Sequence, residues 1–259
     1  MATPHVRHKL HLHSSKIICL ALVGFVLLLL PLSAEAQRKT RAKIGKRGNI
    51  KSITVDNLAD YDNRWFHPGF YVAPNFSSYS IEQSQAYVGS QAVTANSIIS
   101  PGFSVGFVGD IRLANHFNLR FTPGVSFITR RVEFKPLLTS DSIQTQEIGT
   151  TQLEFPLLLK FHSDRRRNTR VYVVGGVKPS FNVGNRRKDP ERNLLRTDDS
   201  DIAIEYGVGL DLFYPLFKFA PELRFSHGLT NLFQPGDNVY SRSLQSMRAH
   251  TVTLYLTFE

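Results

Sequence analysis

The chain alternates apolar and polar residues over many stretches, and the clearest is Thr151 to His162. There Leu153, Phe155, Leu157, Leu159 and Phe161 share one side of a two-residue period, against Gln152, Glu154, Pro156, Leu158, Lys160 and His162. That is the period of a strand and not of a helix. Ile202 to Tyr214, Lys218 to Ser226 and Thr251 to Phe258 repeat the parity. The pattern predicts eight strands: about Trp65 to Tyr79, Ser100 to Leu113, Phe117 to Phe134, Thr151 to His162, Arg170 to Val183, Ile202 to Tyr214, Phe217 to His227 and His250 to Phe258. Connections after the second, fourth and sixth are short, whereas the others run to roughly fifteen to twenty-two residues. An even strand count with alternating short and long connections predicts an all-β, eight-stranded antiparallel transmembrane β-barrel with both termini periplasmic.

The N-terminus agrees with export. Arg7, Lys9 and Lys16 precede an apolar run from Ile17 to Leu30 and an Ala34-Glu35-Ala36 cleavage pattern, which predicts a removable signal peptide over 1–36. The run is shorter than the roughly 20 residues a spanning helix needs. A basic periplasmic segment is expected over 37–64 and the outer-membrane barrel over 65–259. Cys19, the only cysteine, leaves with the signal, so disulfides and thiolate sites are excluded from the mature chain.

Charge changes the picture in two places. Arg38 to Lys51 holds seven basic residues and no acidic one, and reads as a solvated, disordered tail. The formal net charge of +10 would suit nucleic acid, but export excludes that partner. In the strands, the face opposite the apolar one carries Asp110, Arg112, Arg120, Glu154, Lys160, Lys178, Glu205, Asp211, Lys218, Glu222 and Arg224. Slipping the register by one residue would turn these to lipid, at about 2 to 4 kcal/mol for each basic residue near the midplane. They are expected to form an interior ion-pair network, with Lys160, Lys178 and Arg224 as the candidate partners of Glu154. Aromatic belts are expected at one rim from Trp65, Phe66, Phe117, Phe161, Tyr172, Phe213, Tyr214, Phe217 and Phe258, and at the other from Tyr79, Phe134 and Phe181. Pro74, Pro123, Pro156, Pro179 and Pro221 are awkward, because a closed barrel has no free edge for a missing N–H.

No catalytic, cofactor or metal constellation rises above an ordinary structural reading. Ser226 and His227, with Glu222, invite comparison with a hydrolase, but strand neighbours point to opposite faces. Asp198, Asp199 and Asp201 form a lone acidic cluster. Gly102, Gly106 and Gly109 lack phosphate-loop spacing.

Asn57-Leu58-Ala59-Asp60-Tyr61-Asp62, followed by His67-Pro68-Gly69-Phe70-Tyr71, resembles the N-terminal signature of the PorT (SprT) family of type IX secretion. Leu153 to Phe161, Gly175 to Ser180 and Pro221 to Leu229 are similar to the same family and to small outer-membrane barrels in general. The resemblance implies a non-enzymatic barrel, lodged in outer-membrane lipid, that assists export of protease-type cargo with other secretion-system proteins. Asn57, Leu58, Asp60, Tyr61 and Asp62 are then the candidate partner contacts, with the loops Gly184 to Asp201 and Thr230 to Arg248 as further free surfaces. A lipid-modifying or proteolytic barrel, or a small-solute channel, is the alternative.

Overall fold

A computed structural model describes residues 38–44, 50–84, 93–136, 144–183, 196–234 and 244–259. The expected signal peptide and residues 184–195 and 235–243 of the two long loops lie outside these residues. Two strands, β1 (Arg38–Ile44) and β2 (Ile50–Asn57), form an antiparallel hairpin of their own. The basic stretch expected to be a disordered tail is therefore largely paired: Ile53 and Val55 in β2 supply β-branched residues opposite Ala42 and Thr40, and such residues suit a pleated ladder.

After a single helical turn at Tyr61–Asn63 come β3 (Phe66–Gln83), β4 (Val93–Ile98), β5 (Ser100–Arg112), β6 (Phe117–Phe121), β7 (Gly124–Pro136), β8 (Gln144–Glu154) and β9 (Leu157–His162). There follow β10 (Thr169–Asn182), β11 (Arg196–Thr197), β12 (Ser200–Phe213), β13 (Lys218–Gly228), β14 (Phe233–Gln234) and β15 (Leu244–Phe258). β11 pairs with β14 in a small sheet. The other eleven form one antiparallel sheet that closes on itself, since β10 pairs with β12 while β12, β13, β15, β3 and β5 continue round to β6 and β7. β4 and β5 lie end to end, as do β6 and β7, and β8 and β9, so the eleven strands fill eight positions around the ring.

Proline explains two of those breaks. Between Gly109↔Phe121 and Gly106↔Gly124 the β5 ladder lacks pairs at Pro123, and between Ser180↔Glu154 and Val177↔Leu157 the β10 ladder lacks them at Pro156 and Pro179. Proline has no N–H but keeps its carbonyl. Phe107 N donates to Pro123 O (2.9 Å), Thr122 N to Pro156 O (3.1 Å) and Phe155 N to Pro179 O (2.9 Å). The three prolines thus step across three neighbouring ladders, and each interruption is stitched by one bond. Pro74 and Pro221 also sit at gaps, in the β3 to β15 and β12 to β13 ladders.

Burial follows the parity. Phe70, Val72, Phe103, Leu157, Leu159, Val173, Val208 and Leu254 point outward and are exposed, while the buried set inside is mostly polar or charged. An apolar exterior around a polar interior is unfavourable in water and favourable in lipid. The rims need correction. Trp65, Phe117, Phe161, Tyr214, Phe217 and Phe181 are exposed, but Tyr172, Phe213, Tyr79 and Phe134 are buried. Tyr79 and Phe134 join Val132, Leu232, Leu244 and Met247 in an apolar cluster at the end of the barrel away from Glu259, called here the far end. Beyond the apolar band the exterior no longer offers hydrocarbon, so these side chains bury themselves inside.

Close approach fixes two glycines. A Cβ on Gly124 would lie 2.0 Å from Tyr71 Oη and 2.7 Å from Val105 O, and one on Gly209 would lie 2.3 Å from the Tyr172 ring. Overfilling such a contact costs about 1 to 3 kcal/mol. Gly124→Val should lower the temperature at which the folded, fast-migrating gel band converts to the unfolded one, whereas the same change at Gly149, which has nothing within 4 Å, should shift it much less.

Candidate functional site

Two features could carry function: the charged lumen and the segment that closes one end of it. In the lumen, Arg120 is the hub. Its Nη2 lies 2.7 Å from Asp110 Oδ2 and 3.0 Å from Glu259 Oε1, and its Nη1 lies 2.6 Å from Glu222 Oε2. Lys160 reaches Asp211 at 3.1 Å and Asp110 at 3.5 Å; Arg170 and Lys218 meet the same Asp211 at 2.9 and 3.6 Å. Toward the far end, Lys178 pairs with Glu154 at 3.3 Å and lies 3.9 Å from Glu205, which accepts from Arg224 at 3.4 Å. Arg224 also contacts Glu222 and so joins the two halves.

Of the eleven residues expected here, ten are brought together and Glu154 takes Lys178 as its partner. Arg112 is apart: half-buried, it donates to the Asp62 carbonyl and to Asn115 Oδ1. Arg170 and Glu259 also belong to the network, beyond the eleven expected. Both obey the inward parity, yet they stand at or beyond a predicted strand end, where the alternating pattern is weakest. With them, six acids face six bases, and no side chain among the twelve is more than 7% exposed.

Tyrosines complete the packing. Tyr172 Oη donates to Glu222 at 2.6 Å while Lys160 Nζ lies 3.9 Å over its ring, and Arg224 lies 3.8 Å over Tyr255.

The end holding Trp65 and Glu259, the near end, is closed by the turn at Tyr61–Asn63. Tyr61 is buried, donates from Oη to Glu259 Oε2 at 2.5 Å, and stacks on His67 with ring centres 4.1 Å apart. Its carbonyl meets His67 Nε2 at 2.8 Å, and its ring sits edge-on to Phe213. Burial, reinforced by the Glu259 carboxylate, holds the Tyr61 phenol well above its usual range, so it remains the donor. Asp62 pairs with Arg170 at 2.8 Å. Asn57 bonds Asn168 and the Phe213 carbonyl, each at 2.9 Å, and Arg165 donates to the carbonyls of Asn57 and Leu58.

This revises the expected contact surface. Asn57, Tyr61 and Asp62 are engaged by the barrel itself, and Leu58, at φ 47, is half-buried. Asp60 is exposed, and the Asp62 side chain keeps 44% of its surface open beside Arg170.

The hydrolase comparison fails on geometry, since Ser226 is buried in the lumen while His227 is exposed on the outside. Asp201 is buried, Asp199 is exposed, and among the described residues no three His, Cys, Asp or Glu side chains form a group able to hold a metal ion. Gly102, Gly106 and Gly109 lie in β5 and pair with neighbouring strands.

Stranding one member of a buried ion network costs about 3 to 5 kcal/mol, whereas an exposed pair contributes about 1 kcal/mol or less. Glu222→Ala, which takes a partner from both Arg120 and Arg224 and leaves six buried bases facing five acids, should therefore destabilise the folded barrel more in a urea titration than Glu147→Ala, whose pair with Arg131 is exposed. A lumen so filled also predicts that protein reconstituted in planar bilayers shows no large, stable conductance.

Residues 37–234 match the model of the outer membrane protein beta-barrel domain. Among solved structures, OprG from Pseudomonas aeruginosa is similar at 11% identity and a TM-score of 0.43, over 73% of this chain and 94% of that one. Neisserial surface protein A is similar at 12% identity and 0.36, over 73% and 95%. AlkL, solved in lipid bilayers, is similar at 14% identity and 0.37, over 74% and 90%. No curated protein sequence matches the chain. With a domain model covering most of its length, a closed antiparallel sheet and an apolar exterior around a charged lumen, the chain belongs to the outer-membrane β-barrel domain family and is an integral outer-membrane protein.

Proposed function

We propose that this barrel is a non-enzymatic accessory or assembly component of type IX protein secretion, with the near end and both mature termini facing the periplasm. One observation carries the reading. The two segments that most resemble the PorT family, Asn57 to Asp62 and His67 to Tyr71, meet in space as the near-end closure, through the stack and hydrogen bond between Tyr61 and His67.

That closure supports an accessory role on physical grounds. A lumen packed with twelve paired charges and floored by Tyr61 leaves no passage for a polypeptide. Any help to secretion then comes from surfaces outside the lumen. Because Asn57, Tyr61 and Asp62 are used to brace the floor, the surface offered to partners shifts to the hairpin of β1 and β2. Asn57 ends that hairpin, and its bonds to Asn168 and Phe213, with Asn168 Nδ2 donating to Val55 O at 3.0 Å, tether it to the barrel. The hairpin, with Lys43 exposed on β1, would be offered to a periplasmic partner from a fixed base.

The test is complementation of a gene-deletion strain. The deletion strain should accumulate unprocessed cargo in the periplasm; full-length protein and a Ser226→Ala variant should restore export. A variant lacking 38–51 should reach the outer membrane, show the normal heat-dependent gel shift, and fail to restore export. Normal export from the deletion strain would overturn the secretion reading, and loss of export with Ser226→Ala alone would move the reading to a barrel enzyme.

A further inference from the structure

Among the described residues outside the lumen, two histidines and a tyrosine form a cluster that the interior ion network does not use. His227 on β13 and His250 on β15 are directly opposed partners in the ladder, both on the outward face. Their Nδ1 atoms are 2.9 Å apart, and the rings meet edge to face at 69°. Tyr206 on β12 stacks on His227 and places its Oη 2.9 Å from His227 Nε2. The position lies toward the far side of the apolar band: moving outward along the strands, Phe225 gives way to His227, Val252 to His250 and Phe76 to Ser78, and these three residues share one rung, with Leu229 and Ile202 exposed beyond it.

We infer that His227 and His250 form a two-histidine site for a divalent transition ion of the Cu2+ or Zn2+ class, with Tyr206 positioning His227. Two imidazole nitrogens bound at about 2.0 Å and subtending about 90° to 110° at a metal lie roughly 2.9 to 3.3 Å apart, which is the spacing found here. Without metal, two opposed Nδ1 atoms at that distance require one to donate a proton and the other to accept it. In one tautomer His227 Nδ1–H donates to His250, and His227 Nε2 accepts from Tyr206.

Metal binding shifts the His227 proton from Nδ1 to Nε2. Both Nδ1 lone pairs then face the ion, Tyr206 Oη accepts the Nε2–H bond, and no net proton is released. A ligating histidine held through its other ring nitrogen is the usual supporting arrangement of a metal site. Two protein ligands leave the remaining positions to water or to phosphate oxygens of the surrounding lipid, so the site is open and exchangeable. It also ties β13 to β15 from outside.

The experiment uses the mature protein purified in detergent with a tag free of histidine and stripped with chelator. Titration with Cu2+ should show one ion bound with a dissociation constant near the micromolar range and an electron paramagnetic resonance spectrum with two equatorial nitrogens. His227→Ala and His250→Ala should each weaken binding at least tenfold and abolish the two-nitrogen pattern. Tyr206→Phe should weaken binding about tenfold while keeping the pattern, as expected of a positioning residue. The near-end pair His116→Ala, His162→Ala should leave it intact. The heat-dependent gel shift reports that each variant is folded. Absence of the pattern in the wild-type protein, or its persistence in the His227→Ala, His250→Ala double variant, would overturn the site.

Discussion

The structure depends on charge balance within a narrow lumen. An apolar exterior commits the charged side chains at membrane height to the inside, and an eight-position ring leaves space there for side chains and little else. Unpaired charges in that space would each cost several kcal/mol, so the interior must be near neutral and densely bonded. Six acids opposed to six bases meet that condition, and the bonds are not independent: Arg120 serves Asp110, Glu222 and Glu259, while Asp211 serves Lys160, Arg170 and Lys218. Each group therefore holds several strands at once, which rigidifies the ring from within.

The lipid around the barrel also decides how the prolines that interrupt its ladders are tolerated. In lipid, a broken ladder leaves backbone groups without water to satisfy them. Here the breaks at Pro123, Pro156 and Pro179 adjoin one another, and each proline carbonyl accepts from the neighbouring strand. Glu154 stands immediately before one of these breaks and Lys178 immediately before Pro179, so an interior ion pair spans the place where the backbone ladder is weakest. The side-chain network and the backbone interruptions are complementary parts of one arrangement.

Much of this was legible in the sequence because a two-residue period is unambiguous where one face is lipid. Leu157, Leu159 and Phe161 against Leu158, Lys160 and His162 could fold only one way. The pattern misleads where another criterion competes with parity. Tyr172, Phe213, Tyr79 and Phe134 suit a belt as aromatic residues, although Tyr172 and Tyr79 occupy inward parities beside Val174 and Ser77. Arg170 and Glu259 are hard to place because a hydrophobic pattern does not fix where a strand ends. The hairpin of β1 and β2 was hidden by composition: seven basic residues suggested solvation, and the β-branched run in β2 was too short to outweigh them. The histidine pair had no sequence signal, since its partners are 23 residues apart and meet only through the register.

The near end shows how the fold and the proposed role are joined. Glu259 is needed by Arg120 and Lys218 inside the lumen, and by Tyr61 from the segment outside it, so one carboxylate serves both the network and its lid. Asp62 repeats the device through Arg170, which also holds Asp211. A force or a partner acting on the hairpin would be transmitted through Asn57 to Tyr61 and Asp62, and from there to Glu259 and Arg170, whose side chains are buried. The segment preceding the barrel is therefore coupled to the barrel interior through Tyr61 on Glu259 and Asp62 on Arg170, and displacing it would remove one partner from each. That coupling gives the family-like residues of this segment a physical reason to be what they are, independent of any partner they help to present.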